Sequence, residues 1–430
     1  MGLGKLANYI GMTSLSCGID FGTSNSSIAL AAGQNIHLVP VENGSVTMPS
    51  ALFFNRDEKK TYYGRAAMQN FLNKEQGRLM RSLKRILGTP IMKQGTFVHG
   101  RFMNFSDIIG SFINQLKVKA DEEAGFPLTK VVMGRPVHFI DQDPASDRQA
   151  QTELEAIARS IGFEFVEFQY EPIAAAFAHE VTISGEKLAL VVDLGGGTSD
   201  FTVIRLSNKY LSKTDRSSDI LANTGVRVGG NDFDKALSLA EIMPEIGYKT
   251  TFGPNKLDVP LKPFHDLSEW SKVNFLYNPK MILQVRNTLG QSQDKTRYGR
   301  LLKVLEQESG HTLLAAAEQA KIELTHELEH TMSFDFLESG FEIVTQRSSF
   351  ETAITNDIQK ITASANECLS QAGVKPDAIN LIILTGGSTE VPAVQQTFRN
   401  LFPQADIADE NKLSSVGLGL AFDSKNKFGA

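Results

Sequence analysis

Residues 18–30 read GIDFGTSNSSIAL, and residues 191–204 read VVDLGGGTSDFTVI. Each stretch is an apolar run that ends in an acid, a glycine-bearing turn with hydroxyl side chains, and a second run of strand-like residues. Asp20 and Asp193 hold the same place in the two copies, 173 residues apart. A supersecondary unit that recurs along one chain is an internal duplication. The chain is therefore expected to build two similar lobes, each offering one hairpin to a shared cleft.

The turns carry chemistry as well as shape. Backbone N–H groups that point successively into one concavity bind anions, and glycine lets a phosphate approach the main chain closely. Thr23, Ser24 and Thr198 add hydroxyl donors. Asp20, Asp193 and Asp200 would repel a bare phosphate, so they are expected to face it through a cation or its waters. Mg²⁺ suits that role because it keeps several waters while bridging to phosphate oxygens. A dinucleotide-binding turn is the nearest competitor, but that fingerprint opens a helix, and FTVIRL (201–206) is β-branched and strand-like. A phosphate loop of the G-x-x-x-x-G-K-[ST] type is absent; GLGK near the start is followed by Leu6. Two ordinary hairpins whose Asp and Gly only make turns would explain either copy alone. They do not explain both together with a third glycine turn, LTGGST (384–389).

Composition bounds the rest. The chain has 430 residues, enough for two to three domains. Its 41% hydrophobic and 21% charged content is that of an ordinary globular protein. A net charge of −6 argues against nucleic acid as a partner. Cys17 and Cys368 are the only cysteines, which implies no disulfide framework and a reducing, cytoplasmic setting. No apolar run reaches the roughly 18 residues of a membrane span. The first 20 residues lack a signal-peptide core, and Leu6 stands where a myristoylation motif needs Ser or Thr. Residues 1–13 read as an N-terminal extension.

Along the chain, strands are expected at 15–41, near 50–54 and at 129–139, and helices at 147–161 and 172–180. RLMRSLKRILG (78–88) places Leu79, Leu83, Ile86 and Leu87 at helical spacing with basic residues between them, so it reads as an amphipathic helix with a solvated basic face. Residues 240–310, with four prolines and the single Trp270, read as a small insertion subdomain. LLAAAEQAKIELTHELEH (313–330) is a strong helix former. Residues 378–394 read as strand, Gly-Gly turn and a helix opening near Pro392.

Four segments in this order, GIDFGTSNSSIAL, VVDLGGGTSDFTVI, RVGGNDFDKAL (227–237) and LTGGSTEVPAV (384–394), resemble the nucleotide-binding domain of the heat shock protein 70 family, DnaK type. The resemblance runs from about residue 15 to residue 423 and is nearest to the shorter YegD-like members, which share the GRP strand at Gly134–Pro136. It implies an α/β, actin-like ATPase fold, a duplicated ribonuclease H-like motif forming two lobes around a nucleotide cleft that holds ATP or ADP with Mg²⁺. Lobe I is expected at 14–184 plus 408–430, and lobe II at 185–407.

The resemblance also implies roles. Asp20 and Asp193, with Asp200, look like the acids that position Mg²⁺ mainly through water. Gly22, Thr23, Ser24 and Asn25, and Gly195, Gly196, Gly197 and Thr198, look like the two phosphate hairpins. SLKRILG makes Lys84 the candidate for the essential lysine that stabilises the γ-phosphoryl group. EPIAAAFAHE makes Glu171 the candidate to orient the attacking water. Gly229 and Gly230, and Gly386, Gly387 and Ser388, look like further nucleotide turns, and Glu318, Lys321 and Thr325 match the helix that holds ribose and adenine. Two departures stand out. Ile322 replaces an arginine that stacks on adenine, a contact worth on the order of 1 kcal/mol, and Asn231 replaces an acid.

HELEH (326–330) matches the H-E-x-x-H zinc pattern, but TMSFDF follows at once and alternates like a strand, and Ser333 and Phe336 break the longer zinc motif, which leaves Glu351 as a distant third ligand that spacing does not exclude. The chain stops at SKNKFGA with no acidic-apolar linker and no β-rich domain after it, so the peptide-binding output of the family is expected to be missing. The expectation is an ATP-hydrolysing, chaperone-like monomer read by a protein partner or co-chaperone, with no membrane and no nucleic acid. Its rivals are a nucleotide-dependent interaction module that does not hydrolyse and a small-molecule kinase on the same fold.

Overall fold

Strand Leu15–Phe21 pairs antiparallel with Asn25–Ala32 and parallel with Lys130–Arg135. Phe165–Tyr170 extends this sheet on one side and Asn35–Leu38 on the other. Strand Glu186–Leu194 does the same in a second sheet. It pairs antiparallel with Ser199–Ser207, beyond which lies Ile220–Val226, and parallel with Leu381–Thr385, beyond which lies Asp406–Ala408. Register repeats as well as order. Adding 173 to both members of the pair Asp20↔Ser27 gives Asp193↔Asp200, and Phe21↔Ser26 becomes Leu194↔Ser199. The duplication expected from the sequence is thus written in the hydrogen-bond ladders.

These coordinates are a computed structural model that describes residues 15–33, 35–180, 183–211, 213, 216–408 and 414–429. The expected extension at 1–13 lies outside the described residues. The chain divides into two compact units. The first comprises Met1–Gly229, Lys360–Thr389 and Val394–Ala430, and the second Gly230–Gln359 and Glu390–Ala393. Both copies of the repeat fall in the first unit, and residues 240–310 fall in the second. The lobe boundary at 184/185 stays a proposal.

In the first unit the central strands are buried almost throughout, as expected where both faces of a sheet are covered and the strand reads as a continuous apolar run. Helix Glu171–Glu180 packs against helix Ser415–Phe428, which in turn packs on Leu15–Phe21. The helices approach closely because Gly419 has no side chain: a methyl there would lie 1.7 Å from the Ala174 carbonyl oxygen. This contact seats the first residue of Glu171–Glu180 at the end of the first sheet. Cys17 and Cys368 are both buried free thiols.

The second unit is built from short helices around Phe233, Phe264, Tyr298, Leu301, Leu313, Phe334 and Phe350, all fully buried. Helices Lys262–Leu267 and Pro279–Gln291 carry proline in their first turn, where its missing N–H is harmless. Helix Gly310–His326 leads into the hairpin Glu329–Ser333 and Glu342–Gln346.

One expectation is overturned. Residues 78–88 do not form a helix. Gly77–Arg81 is a strand paired with Ala51–Asn55, Ser82 has φ 58°, and Leu83–Ile86 is a single 3₁₀ turn. Cross-strand pairing claims the first half of the stretch, and the left-handed Ser82 stops the strand. Leu79, Leu83, Ile86 and Leu87 are all buried. The three-to-four-residue spacing of the leucines is met by a strand followed by a tight turn, so the periodicity was genuine but its helical reading was not.

Candidate functional site

Each hairpin turn is set by its flanking strands. Asp20 is the penultimate residue of Leu15–Phe21, and Asp193 is the penultimate residue of Glu186–Leu194. In the first turn Ser50 acts as a latch: its N–H donates to the Ser24 carbonyl at 2.8 Å and its hydroxyl donates to the Gly22 carbonyl at 2.7 Å. In the second turn the Gly195 N–H donates to the Thr198 carbonyl at 3.0 Å. The two turns meet. A methyl on Gly197 would come within 2.7 Å of Thr23 Oγ1, so only glycine permits this approach.

One cleft in the first unit is lined by residues of both hairpins: Asp20, Gly22, Thr23, Ser24 and Asn25 on one side, and Asp193 and Gly195–Thr198 on the other. Lys84, Glu171, Gly386 and Gly387 line it too. Gly386 has φ +81° and follows strand Leu381–Thr385 directly. A side chain there would meet the Leu194 carbonyl at 2.2 Å, so this turn lies against the end of the strand that carries Asp193. Ser388 donates its hydroxyl to the Gly195 carbonyl at 3.1 Å.

The electrostatics are dense. Lys84 Nζ pairs with Glu171 Oε1, and both residues are buried. Lys84 is therefore not on a solvated helix face, as its surroundings in the sequence suggest. Burial works against the lysine charge, but Glu171 and Asp20 outweigh it and hold the pKa above the ordinary lysine range. Burial, then the Glu171 charge, pushes Asp20 up to about 7. Asp193 is driven well above the carboxylate range by burial and by Glu171, Asp200 and Asp20 in turn. Asp200 is raised to about 7 by burial and Glu171, although the Val137 N–H donates to its Oδ1 at 2.6 Å. Its Oδ2 is buried with no hydrogen-bond partner among the described residues. So many carboxylates around one lysine leave a site short of positive charge. An orphaned carboxylate oxygen and three carboxyls held toward neutrality fit a divalent cation, which favours their ionised forms. Among the described residues no three carboxylates, histidines or cysteines are placed to hold one ion directly.

This arrangement answers the sequence residue by residue. The structure brings together Asp20, Gly22, Thr23, Ser24, Asn25, Lys84, Glu171, Asp193, Gly195, Gly196, Gly197, Thr198, Gly386 and Gly387. Gly229 abuts the second hairpin, since a methyl on it would lie 2.6 Å from the Gly197 nitrogen. The chain matches the family model described as "Hsp70 protein" over residues 16–250 and 297–426. It belongs to the Hsp70 family. Membership carries the actin-like ATPase fold and makes the chain an ATP-binding, Hsp70-like protein.

Asp200 and Ser388 lie in the first unit but do not line the cleft, and the other expected residues of this Hsp70 protein lie in the second unit. Gly230 opens helix Gly230–Leu237. Glu318, Lys321 and Thr325 lie on helix Gly310–His326. Lys321 Nζ pairs with Asp234 Oδ1 at 2.7 Å and lies 3.4 Å from the Gly230 carbonyl oxygen. The Thr325 hydroxyl donates to the Lys321 carbonyl, and Ile322 is 47% exposed. The zinc pattern fails on geometry. The helix ends at His326, Glu327 is extended, and His330 lies on the next strand, so the two histidines do not share a helical face. Thr385 and Val416, which also line the cleft, and Ser50 are additions that sequence reasoning missed. Thr385 adjoins the Gly-Gly turn and was within reach; Ser50 and Val416 carried no local signal.

Among the described residues no helix is long and apolar enough to cross a membrane.

Proposed function

We propose that this Hsp70 family member binds ATP with Mg²⁺ in the cleft of its first unit and hydrolyses it to ADP and phosphate. The observation that carries this reading is a buried lysine, Lys84, held by Glu171 among Asp20, Asp193 and Asp200, beside two converging glycine hairpins. Phosphoryl transfer needs little covalent help from a protein and much positioning.

The backbone N–H groups of Gly22–Asn25 and Gly196–Thr198 bind the triphosphate oxygens, Gly195 closes its turn through Thr198, and the Thr23 and Thr198 hydroxyls sit by the β- and γ-phosphates. Glu171 accepts a hydrogen bond from a water and aims it at the γ-phosphorus. The new P–O bond forms as the bond to the ADP oxygen breaks, and the water proton passes to the products. Lys84 stabilises the charge that develops on the γ-phosphoryl oxygens. Asp20, Asp193 and Asp200 would hold Mg²⁺ through its waters; when bound, the ion supplies charge neutralisation. Gly386, Gly387 and Ser388 take the adenosine side, with Gly229 and Gly230 as further nucleotide turns. Glu318, Lys321 and Thr325 serve ribose and base. The same reading gives a cytoplasmic monomer whose nucleotide state is read by a protein partner or co-chaperone.

Steady-state ATP turnover of the wild type against Lys84→Ala and Glu171→Ala tests it. Turnover lost in both variants supports hydrolysis. Wild-type turnover no higher than that of the variants, with ATP still bound, leaves a non-hydrolysing interaction module instead. ADP release that depends on an added sugar identifies a kinase.

A further inference from the structure

We propose that Arg227 is a positioning residue for Lys84, tying the backbone of the lysine's turn to the segment that supports the second hairpin; the inference rests on the cleft being an ATP site. Arg227 follows strand Ile220–Val226, the neighbour of the hairpin's return strand Ser199–Ser207. Its own N–H donates to Asp141 Oδ2 at 2.8 Å. Its guanidinium Nη2 donates to the carbonyl of Arg85, the residue after Lys84. The next two residues bind to the second hairpin. Ser199 donates its hydroxyl to the Val228 carbonyl at 2.7 Å, and Gly229 lies against Gly197. Residues 227–229 therefore hold the second hairpin with one end and the Lys84 turn with the other.

The turn needs such support. Leu83–Ile86 is one 3₁₀ turn, with Arg85 N–H donating to Ser82 at 3.1 Å and Leu87 N–H donating to Lys84 at 3.3 Å. Single 3₁₀ turns have poor hydrogen-bond geometry and little cooperativity. Lys84 has a long, rotamer-rich side chain whose ammonium is held by Glu171, so the backbone of its turn is the other end that must be fixed. A charged guanidinium on a carbonyl is a charge-assisted bond. Lysine at 227 would offer a more flexible point donor in its place.

The test is lysine labelling by an ATP acyl-phosphate. In this probe the lysine, once its ammonium has given up a proton to solvent, attacks the acyl carbonyl; the C–N bond forms as the bond from the acyl carbon to the phosphate oxygen breaks, ATP leaves, and the nitrogen loses a second proton to solvent to give the amide. Labelling of Lys84 is read by mass spectrometry in wild type, Arg227→Met and Arg227→Lys, with the melting midpoint as a folding control. Arg227→Met is expected to slow Lys84 labelling about fivefold and to lower kcat about tenfold with KM little changed, since a misplaced group acts on the transition state. Arg227→Lys is expected to recover part of both. Wild-type labelling and kcat in Arg227→Met, or no recovery of either in Arg227→Lys, overturns the inference and leaves the ATP site standing. A wild type that neither labels at Lys84 nor turns over ATP defeats the ATP-site reading and the inference with it.

Discussion

Removing the Asp200 charge should stabilise the ligand-free protein, and only above acid pH. Asp200 is 1% exposed, and its pKa is raised to about 7 by burial and by Glu171. A carboxyl whose folded pKa lies above its unfolded value of about 3.9 binds its proton more tightly in the native state. Its stabilising effect is complete below about pH 4 and is lost progressively as pH rises to about 7, after which the deficit is constant. A shift of about three units at about 1.4 kcal/mol each sets a ceiling of roughly 4 kcal/mol. Relaxation of the neighbouring carboxyls, which share the proton affinity, brings the expected gain nearer 2 kcal/mol. Asp200→Asn keeps an oxygen to accept the Val137 N–H and deletes the charge. In chelator at pH 8 its melting midpoint should exceed that of the wild type by about 5 °C. At pH 5 less than half of that gain should remain. Adding Mg²⁺ with nucleotide should narrow the gap at pH 8, because the ion rewards the ionised acid. Equal midpoints at pH 8, or a gain of the same size at both pH values, would refute the electrostatic account of this cluster.

Other perturbations probe other parts of the site. Lys84→Met leaves Glu171 buried without its cation and should cost about 3–5 kcal/mol; the double variant with Glu171→Gln should regain most of that stability in denaturant unfolding while ATP turnover stays absent, and a double variant as unstable as the single would count against the ion pair as the cause. Gly197→Ala pushes a methyl to 2.7 Å from Thr23 Oγ1, so calorimetry should find ATP bound about tenfold more weakly, roughly 1.4 kcal/mol; unchanged affinity would mean that the hairpins do not hold the phosphates. Ile322→Arg restores a cation over the base and should tighten ATP about fivefold, on the order of 1 kcal/mol; no gain over wild type in a competition titration would place the base elsewhere.

The architecture was legible because duplication is a statement about order, and order survives translation into three dimensions. Asp20 and Asp193 are related by a constant offset, and that offset reproduces cross-strand partners as well as residue types. The 240–310 stretch resisted reading for the opposite reason. Lys262–Leu267 is too short for a 3.6-residue period to show, and the prolines that open it and Pro279–Gln291 read locally as breakers before they read as first-turn residues. Residues 78–88 misled because periodicity records which side chains are buried, not which backbone buries them. A strand covered on both faces and a 3₁₀ turn can bury Leu79, Leu83, Ile86 and Leu87 just as a helix would.

The candidate site divides along the same line. Its turns were visible in the sequence, because close backbone approach admits only glycine and a local motif suffices to mark it. Its electrostatics were visible only as a list of acids and one lysine. Whether Lys84 lies on a wet surface or against Glu171 depends on residues 87 positions apart, and no local pattern encodes that distance. The supports are further still from view. Ser50 latches a turn 28 residues upstream of it, and Arg227 reaches a carbonyl 142 residues away. Residues that touch phosphate are confined by chemistry to a few types at fixed spacings. Residues that hold them in place need only a donor of the right length somewhere in the fold. A reading from sequence therefore finds the groups that would touch the nucleotide before it finds those that aim them, and Arg227→Met is the substitution that separates the two.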